Sequence, residues 1–460
     1  MARQPEHLAE QQRALGRYLA ALREAAGLYQ ADLARAVPCH RTTVTHAEAG
    51  SQLPSGDFWE TADRVVGANG ALIARYDELI HAKAAHLAEQ QAQRRARAHA
   101  TAHQLAGPRG GMSPVVQTVT AITLGVGQAD LDLDRLDRLI PSPDADEPPR
   151  QVGAADVDAI EDTSDALRRC NFARGGGLAR AAASALLRSV VRLRPAAMTT
   201  EVRVRLDIAS ADLAMIAAWC RYDVEQHDQA RRLWTVALEL CRYTDHPRAA
   251  DLAVGVLLDM AHQSLHLSRP DEALRLAGLG LAVENDSPGA VSDATRSYLA
   301  SVQSWSYAAL GETTACERAV GRAERHFAAA DPGTAPPWAA FVTTAELTAQ
   351  QGHAWYLLSA TQPDAATRAV PLLTAATSSY GSDYAVRRAV NLAGLAGSHA
   401  RAGDIDTAVS VGRHALEEIC QGWSQRAYQR LRMLDDCLAV HQSADVADLR
   451  HDIQTACATS

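Results

Sequence analysis

"SRPDEALRLAGLGL", residues Ser268–Leu281, reads as a turn at Pro270 and Asp271 followed by an amphipathic helix with small residues at Ala273 and Gly280. The arrangement returns in "QHDQARRLWTVAL" (Gln226–Leu238), "LGETTACERAVGRA" (Leu310–Ala323), "TQPDAATRAVPLL" (Thr361–Leu373) and "AGDIDTAVSVGRHAL" (Ala402–Leu416). The first small residue of each stands at Ala230, Ala273, Cys316, Ala366 and Ala408, in steps of 43, 43, 50 and 42. A second follows seven positions later at Ala237, Gly280, Ala323 and Ala415, with Leu373 breaking the rule. A preceding helix carries another small residue twelve positions before the first, at Ala218, Ala261, Ser304, Ala354 and Ala396. Self-similarity at this period marks stacked helical hairpins. Small residues at fixed points let paired helices approach closely, so residues 151–460 are expected to form an α-solenoid.

Upstream, the chain changes character. Leu15 to about Ile80 breaks into short amphipathic pieces, so residues 1–80 are expected to form a separate helical bundle. "LGRYLAALREAAG" places Leu15, Tyr18, Leu19, Leu22 and Ala26 on one face before Gly27. "LYQADLARAV" stops at Pro38, and "HRTTVTHAEAG" stops at Gly50. Ser55 is the expected cap of a helix burying Phe58, Trp59, Ala62, Val65 and Val66. Residues 81–150 read as a polar linker helix and two linkers, "GPRGGMSP" and "PSPDADEPPR". Charge follows the same division. The 460-residue chain has a net charge of -9, yet Met1–Ser113 carries thirteen Lys and Arg against eleven Asp and Glu. The acidic excess therefore lies beyond it, and the two parts face different electrostatic tasks.

The first segment resembles the XRE (Cro/CI-type) helix-turn-helix family. Gln30 stands at the family's first helix position, Ala34 at its tight-packing alanine, Val44 at the apolar position of the recognition helix and Glu48 at its acidic end. Arg23 and Glu48 fall where the family places a structural ion pair. Two departures are Pro38, in place of the turn glycine, and Tyr29, in place of the usual Ser or Asn cap. The repeats resemble tetratricopeptide (TPR) repeats with long connections. The combined layout resembles actinobacterial XRE regulators and, more loosely, the RRNPP quorum-sensing regulators. The expected architecture is thus all-α: a helix-turn-helix bundle followed by a TPR-like solenoid.

If Ala34, Val37 and Val44 face the core, the second helix presents Arg41, Thr42, Thr45 and His46 outward, with Thr43 beside them. Arginine recognises guanine O6 and N7 through two parallel hydrogen bonds, and threonine methyls pack on thymine methyls. Gln30, at a helix start, is expected on a phosphate or a base edge. A domain this weakly basic neutralises few phosphates, so a homodimer on double-stranded operator DNA is expected. In the TPR pattern, the residue after the small residue of the first helix faces a concave groove; here these are Trp219, His262, Trp305, Trp355 and Gly397. Tyr222, His266, Gln351 and Arg401 fall at other groove positions. The indoles are expected to face solvent and to take a signalling peptide, small molecule or protein; packing between repeats is the alternative reading of them.

The sequence points away from other classes. No run of eighteen apolar residues offers a membrane span, and "MARQPEHLAEQQRALG" lacks the apolar core of a secretory signal. A cytoplasmic protein is expected. The eight cysteines are scattered without a C-x-x-C pair. His262 and His266 share the i, i+4 spacing of metal ligands but have no third partner nearby and no H-E-x-x-H context. "RGGGLAR" (Arg174–Arg180) lacks the Gly-Lys-Ser/Thr of a phosphate loop. No nucleophile motif appears. The expected role is a DNA-binding regulator without enzymatic activity, metal or cofactor; the alternative is an interaction scaffold with a vestigial helix-turn-helix.

Overall fold

The computed structural model describes residues 5–83 apart from Pro38, residues 85, 86, 89 and 93, and residues 150–459 apart from 243 and 332. The expected linkers and Pro38 lie outside the described residues. The chain divides into two compact units, Met1–Arg97 and Ala98–Ser460. Both are helical, and the described residues contain no strand beyond one isolated bridge between Gln151 and Ala197. No described helix is long and apolar enough to cross a membrane.

In the first unit α1 (Glu6–Ala25), α2 (Gln30–Ala36), α3 (Arg41–Glu48), α4 (Gly56–Val66) and α5 (71–83) enclose a small core of Leu15, Leu19, Leu33, Val44, Trp59 and Leu72. Helix α1 begins well before Leu15 and buries Leu8 too, whereas Ala26, at its end, is exposed. Gly16 fixes how closely α1 meets α3: a Cβ there would lie 2.4 Å from the carbonyl oxygens of Ala47 and Glu48. At the start of α2, Tyr29 gives no side-chain cap, but its N–H donates to the Asp32 carboxylate at 2.9 Å. Buried Asp63 accepts the N–H groups of Gly70 and Leu72 at 2.7 and 2.8 Å and so starts α5. Ser55 precedes α4 but makes no side-chain cap.

The second unit opens with α6 (Ala154–Arg174) and α7 (Gly176–Val191). Five hairpins follow: α8 (Thr200–Asp223) with α9 (His227–Arg242), α10 (Pro247–His266) with α11 (Pro270–Asp286), α12 (Asp293–Ala309) with α13 (Thr313–Ala329), α14 (Thr344–Leu358) with α15 (Ala365–Ser379), and α16 (Ala385–Arg401) with α17 (Ile405–Cys420). A final pair, α18 (Gln425–Leu438) and α19 (Ala444–Thr459), ends the chain. The small residues at the repeat positions explain the pairing: Ala218, Ala230, Ala261, Ala273, Cys316, Ala354, Ala366, Ala396 and Ala408 are all completely buried. The long step of 50 is taken up by the segment between α13 and α14, whose Trp338 and Phe341 are buried. Phe341 packs edge-on against Phe172 of α6 and Tyr298 of α12.

The array closes on itself. Helix α16 packs on α6, and α18 on α8. The loop before α18 is pinned to the α6–α7 turn, where the Trp423 N–H donates to the Arg174 carbonyl at 2.7 Å and the Gly177 N–H to the Trp423 carbonyl at 3.0 Å. The glycines of "RGGGLAR" permit this contact: a Cβ on Gly175 would sit 2.7 Å from the Trp423 carbonyl carbon, and one on Gly177 2.7 Å from the Trp423 oxygen. Gly176 lies as close to Cys220 of α8. Asp223, at the end of α8, locks the joint by accepting from Gly176 N–H (2.7 Å), Ser424 Oγ (2.7 Å) and Arg426 Nε (3.1 Å).

Candidate functional site

On α3 the apolar positions Val44 and Ala47 turn inward, leaving Arg41, Thr42, Thr45 and His46 exposed and Thr43 half-buried. Among the described residues the Arg41 side chain makes no hydrogen bond or ion pair, while its carbonyl accepts from Thr45 Oγ1 at 3.2 Å, so its guanidinium is uncommitted. Thr42 shares a 2.8 Å hydrogen bond with Nδ1 of His40, the residue that caps α3, and His46 Nδ1 shares one with Ser51 Oγ at 3.1 Å. Beneath this face the Arg23 guanidinium meets Glu48 through Nε (2.6 Å) and a terminal nitrogen (3.2 Å), with both side chains buried. The same nitrogen fork reaches the Leu28 carbonyl at 2.7 Å, tying α1, the α1–α2 turn and α3 together. Gln30 joins the network: its amide donates to Glu48 at 2.7 Å and accepts from Thr45 at 3.2 Å. Its amide is thereby held inside the protein's own network.

In the repeat unit, α6, α8, α10, α12, α14, α16 and α18 surround a central cavity of about 700 Å³, its mouth included. Trp219, His262 and Trp305 line it, together with residues that the repeat pattern does not mark: Asp223, Glu346, His353, Arg387, Arg426 and Arg430. Two of the arginines are neutralised. Arg387 pairs with Glu346 at 2.5 Å, and Arg426 with Asp223 at 3.1 Å. Arg430 donates to His353 Nε2 at 3.2 Å, which leaves that imidazole neutral with its proton on Nδ1. Burial, reinforced by Arg426 and Arg430, holds His262 and His353 well below the usual imidazole range and His266 down to about 2. A second recess of about 410 Å³ shares Phe172, Trp219, Tyr298 and Arg387 with the first.

The expectation of solvent-facing indoles needs correction. Trp305 is 5% exposed and its Nε1 donates to the Gln350 carbonyl at 2.8 Å; Trp355 is 4% exposed and does not line the cavity. The Arg368 guanidinium covers the Trp355 ring at 3.4 Å. Only Trp219 remains half-buried. Tyr222 is fully buried and shares a 3.0 Å hydrogen bond with His262 Nδ1, while His266 packs edge-on against Tyr222 behind the wall. Gln351 donates to Glu324 instead, and Arg401 to the Tyr356 carbonyl and Ser359 Oγ. For Trp355 the reason is a change of register. In α8, α10 and α12 the lining residue follows the small residue, but in α14, after the long insertion, His353 precedes Ala354. Gly397, next in the series, is occupied by packing: a Cβ there would meet the Tyr356 ring at 2.9 Å. Arg426 and Arg430 lie in α18, beyond the last repeat, and only ring closure brings them inward.

Compared with known proteins, residues 14–76 match a family model described as a helix-turn-helix domain. This segment contains α2, α3 and α4 together with the Arg23–Glu48 pair. The first unit is therefore a helix-turn-helix domain. No curated protein and no solved structure matches the chain.

Proposed function

We propose that the protein is a DNA-binding transcription regulator that acts as a homodimer of the XRE type. In this reading α3 enters the major groove and the TPR-like repeat unit senses a signal in its central cavity. The observation that carries the reading is the uncommitted Arg41 guanidinium at the start of α3, flanked by exposed Thr45 and His46 and braced by the buried Arg23–Glu48 pair. A bidentate arginine contributes base discrimination, while the helix face around it supplies position. Binding of the signal shifts DNA affinity to the extent that it prefers one conformation of the whole protein.

The test is selection of duplex sequences by the full-length chain, followed by binding of the selected operator over a series of salt concentrations. Affinity should fall steeply with salt. Arg41→Ala should cost about 1–3 kcal/mol on the selected operator and little on random duplex. Equal loss on both would make Arg41 a phosphate contact, and absence of any salt-dependent binding would overturn the regulator reading.

A further inference from the structure

The central cavity holds one positive charge more than the protein balances. Glu346 answers Arg387, and Asp223 answers Arg426. Arg430 has only His353 Nε2 at 3.2 Å and Met433 Sδ at 3.7 Å, both uncharged acceptors, and no carboxylate partner among the described residues. A guanidinium taken out of bulk water without a counter-ion is costly, so the site is electrostatically incomplete as the protein alone builds it. Around this charge the walls are aromatic: Phe172, Trp219, Tyr298 and Trp305 line the same space. Two wall amides add an unmet need, because Asn171 Oδ1 and Gln350 Oε1 are buried without a donor.

We propose that the cavity binds a small planar aromatic molecule bearing a single carboxylate, with the carboxylate on Arg430 and the apolar body between the aromatic walls. This rests on the reading of the repeat unit as the sensor and specifies its ligand. One unbalanced cation matches one negative charge; a dianion would leave the enclosed site with an excess of its own. The planar fork of arginine accepts two carboxylate oxygens side by side. The neutral imidazoles leave Arg430 as the charge that selects, since His262 and His353 stay unprotonated beside it. A peptide with several charges finds no matching set of free counter-charges here.

The experiment uses the full-length protein and a matched pair of probes, 2-naphthoate and the uncharged 2-naphthylmethanol, followed by tryptophan fluorescence and thermal shift. Naphthoate should bind about tenfold or more tightly than the alcohol, a difference typical of one charge-assisted pair. In Arg430→Gln the acid should fall to the affinity of the alcohol, while the alcohol is unaffected. Arg430→Lys, which keeps the charge and loses the fork, should retain part of the preference and covers the case in which Arg430→Gln does not fold. Equal binding of acid and alcohol to the wild-type protein would overturn the carboxylate assignment and leave the sensor cavity standing. So would a preference that survives in Arg430→Gln. Failure of both probes to bind would overturn the cavity as a ligand site altogether.

Discussion

Arg23 and Glu48 are far apart in sequence, yet their pairing was legible because both fell on marked positions of a familiar motif. The structure adds why the pair matters: the shared network ties Gln30 and Thr45 to the same carboxylate. Glu48→Ala leaves the buried guanidinium with only the exposed Glu24 carboxylate at 3.2 Å and the Leu28 carbonyl, and should cost about 3 kcal/mol. Hydrogen exchange of α1 and α3 amides in the full chain should speed up accordingly; unchanged exchange would show the pair to be dispensable. Trp305 tells the opposite story. Its position in the repeat identified the residue but not its environment, because the same register serves a groove wall and a packed seam. With its indole buried and hydrogen-bonded to Gln350, Trp305→Ala should cost about 3–5 kcal/mol in a urea melt. A loss within about 1 kcal/mol would mean the ring is dispensable to the core.

At the level of elements, the hairpins were readable from spaced alanines because close helix contact tolerates nothing larger. The closing contacts were not, since they join residues some two hundred positions apart and leave no periodic trace. One local sign existed. Three consecutive glycines at the start of α7 make a poor helix beginning by propensity, and their use is the tight approach of the Trp423 loop. Gly175 also holds φ +97°, a conformation that other residues rarely adopt. Gly175→Ala should therefore cost more than Gly289→Ala, which has φ +79° with nothing near its missing Cβ. Backbone strain alone is worth about 1–3 kcal/mol in each, and any excess at Gly175 measures the closure contact. Equal losses in urea melts of the two variants would mean that the loop contact adds nothing.

For the whole molecule, the all-helical plan and its two-part organisation followed from composition, charge placement and repeat spacing. The interior charges did not, because burial is a property of the closed array. They set its response to acid. His262, His266 and His353 remain neutral in the fold, whereas in the unfolded chain imidazoles take up protons near pH 6.5. Their depressed affinity for protons gives stability that is present above that pH and is lost progressively as pH falls below it toward the folded-state values. Asp259 opposes this, since burial raises its carboxyl and the fold keeps a proton that the unfolded chain releases. His227 is lowered in the same sense, and burial raises Asp207 and Asp251 as it does Asp259, so the carboxyls offset part of the loss that the imidazoles cause. Urea melts should show this loss, and His353→Gln should reduce it. Stability that holds steady or rises on acidification would contradict the assignment.

The seam between the Trp423 loop and the α6–α7 turn has a mechanical consequence. In an open stack each hairpin answers only to its neighbours, and unfolding creeps in from a free end. A stack fastened end to end is a hoop: none of the five hairpins between α8 and α17 is terminal, and none can peel away without straining its neighbours on both sides. Its failure should begin at the fastener, residues 421–424, whose hydrogen bonds add to the packing of α16 on α6 and α18 on α8. Released there, the hoop becomes a spring, and Arg430, riding on the freed end, is carried away from the bore it helped to charge.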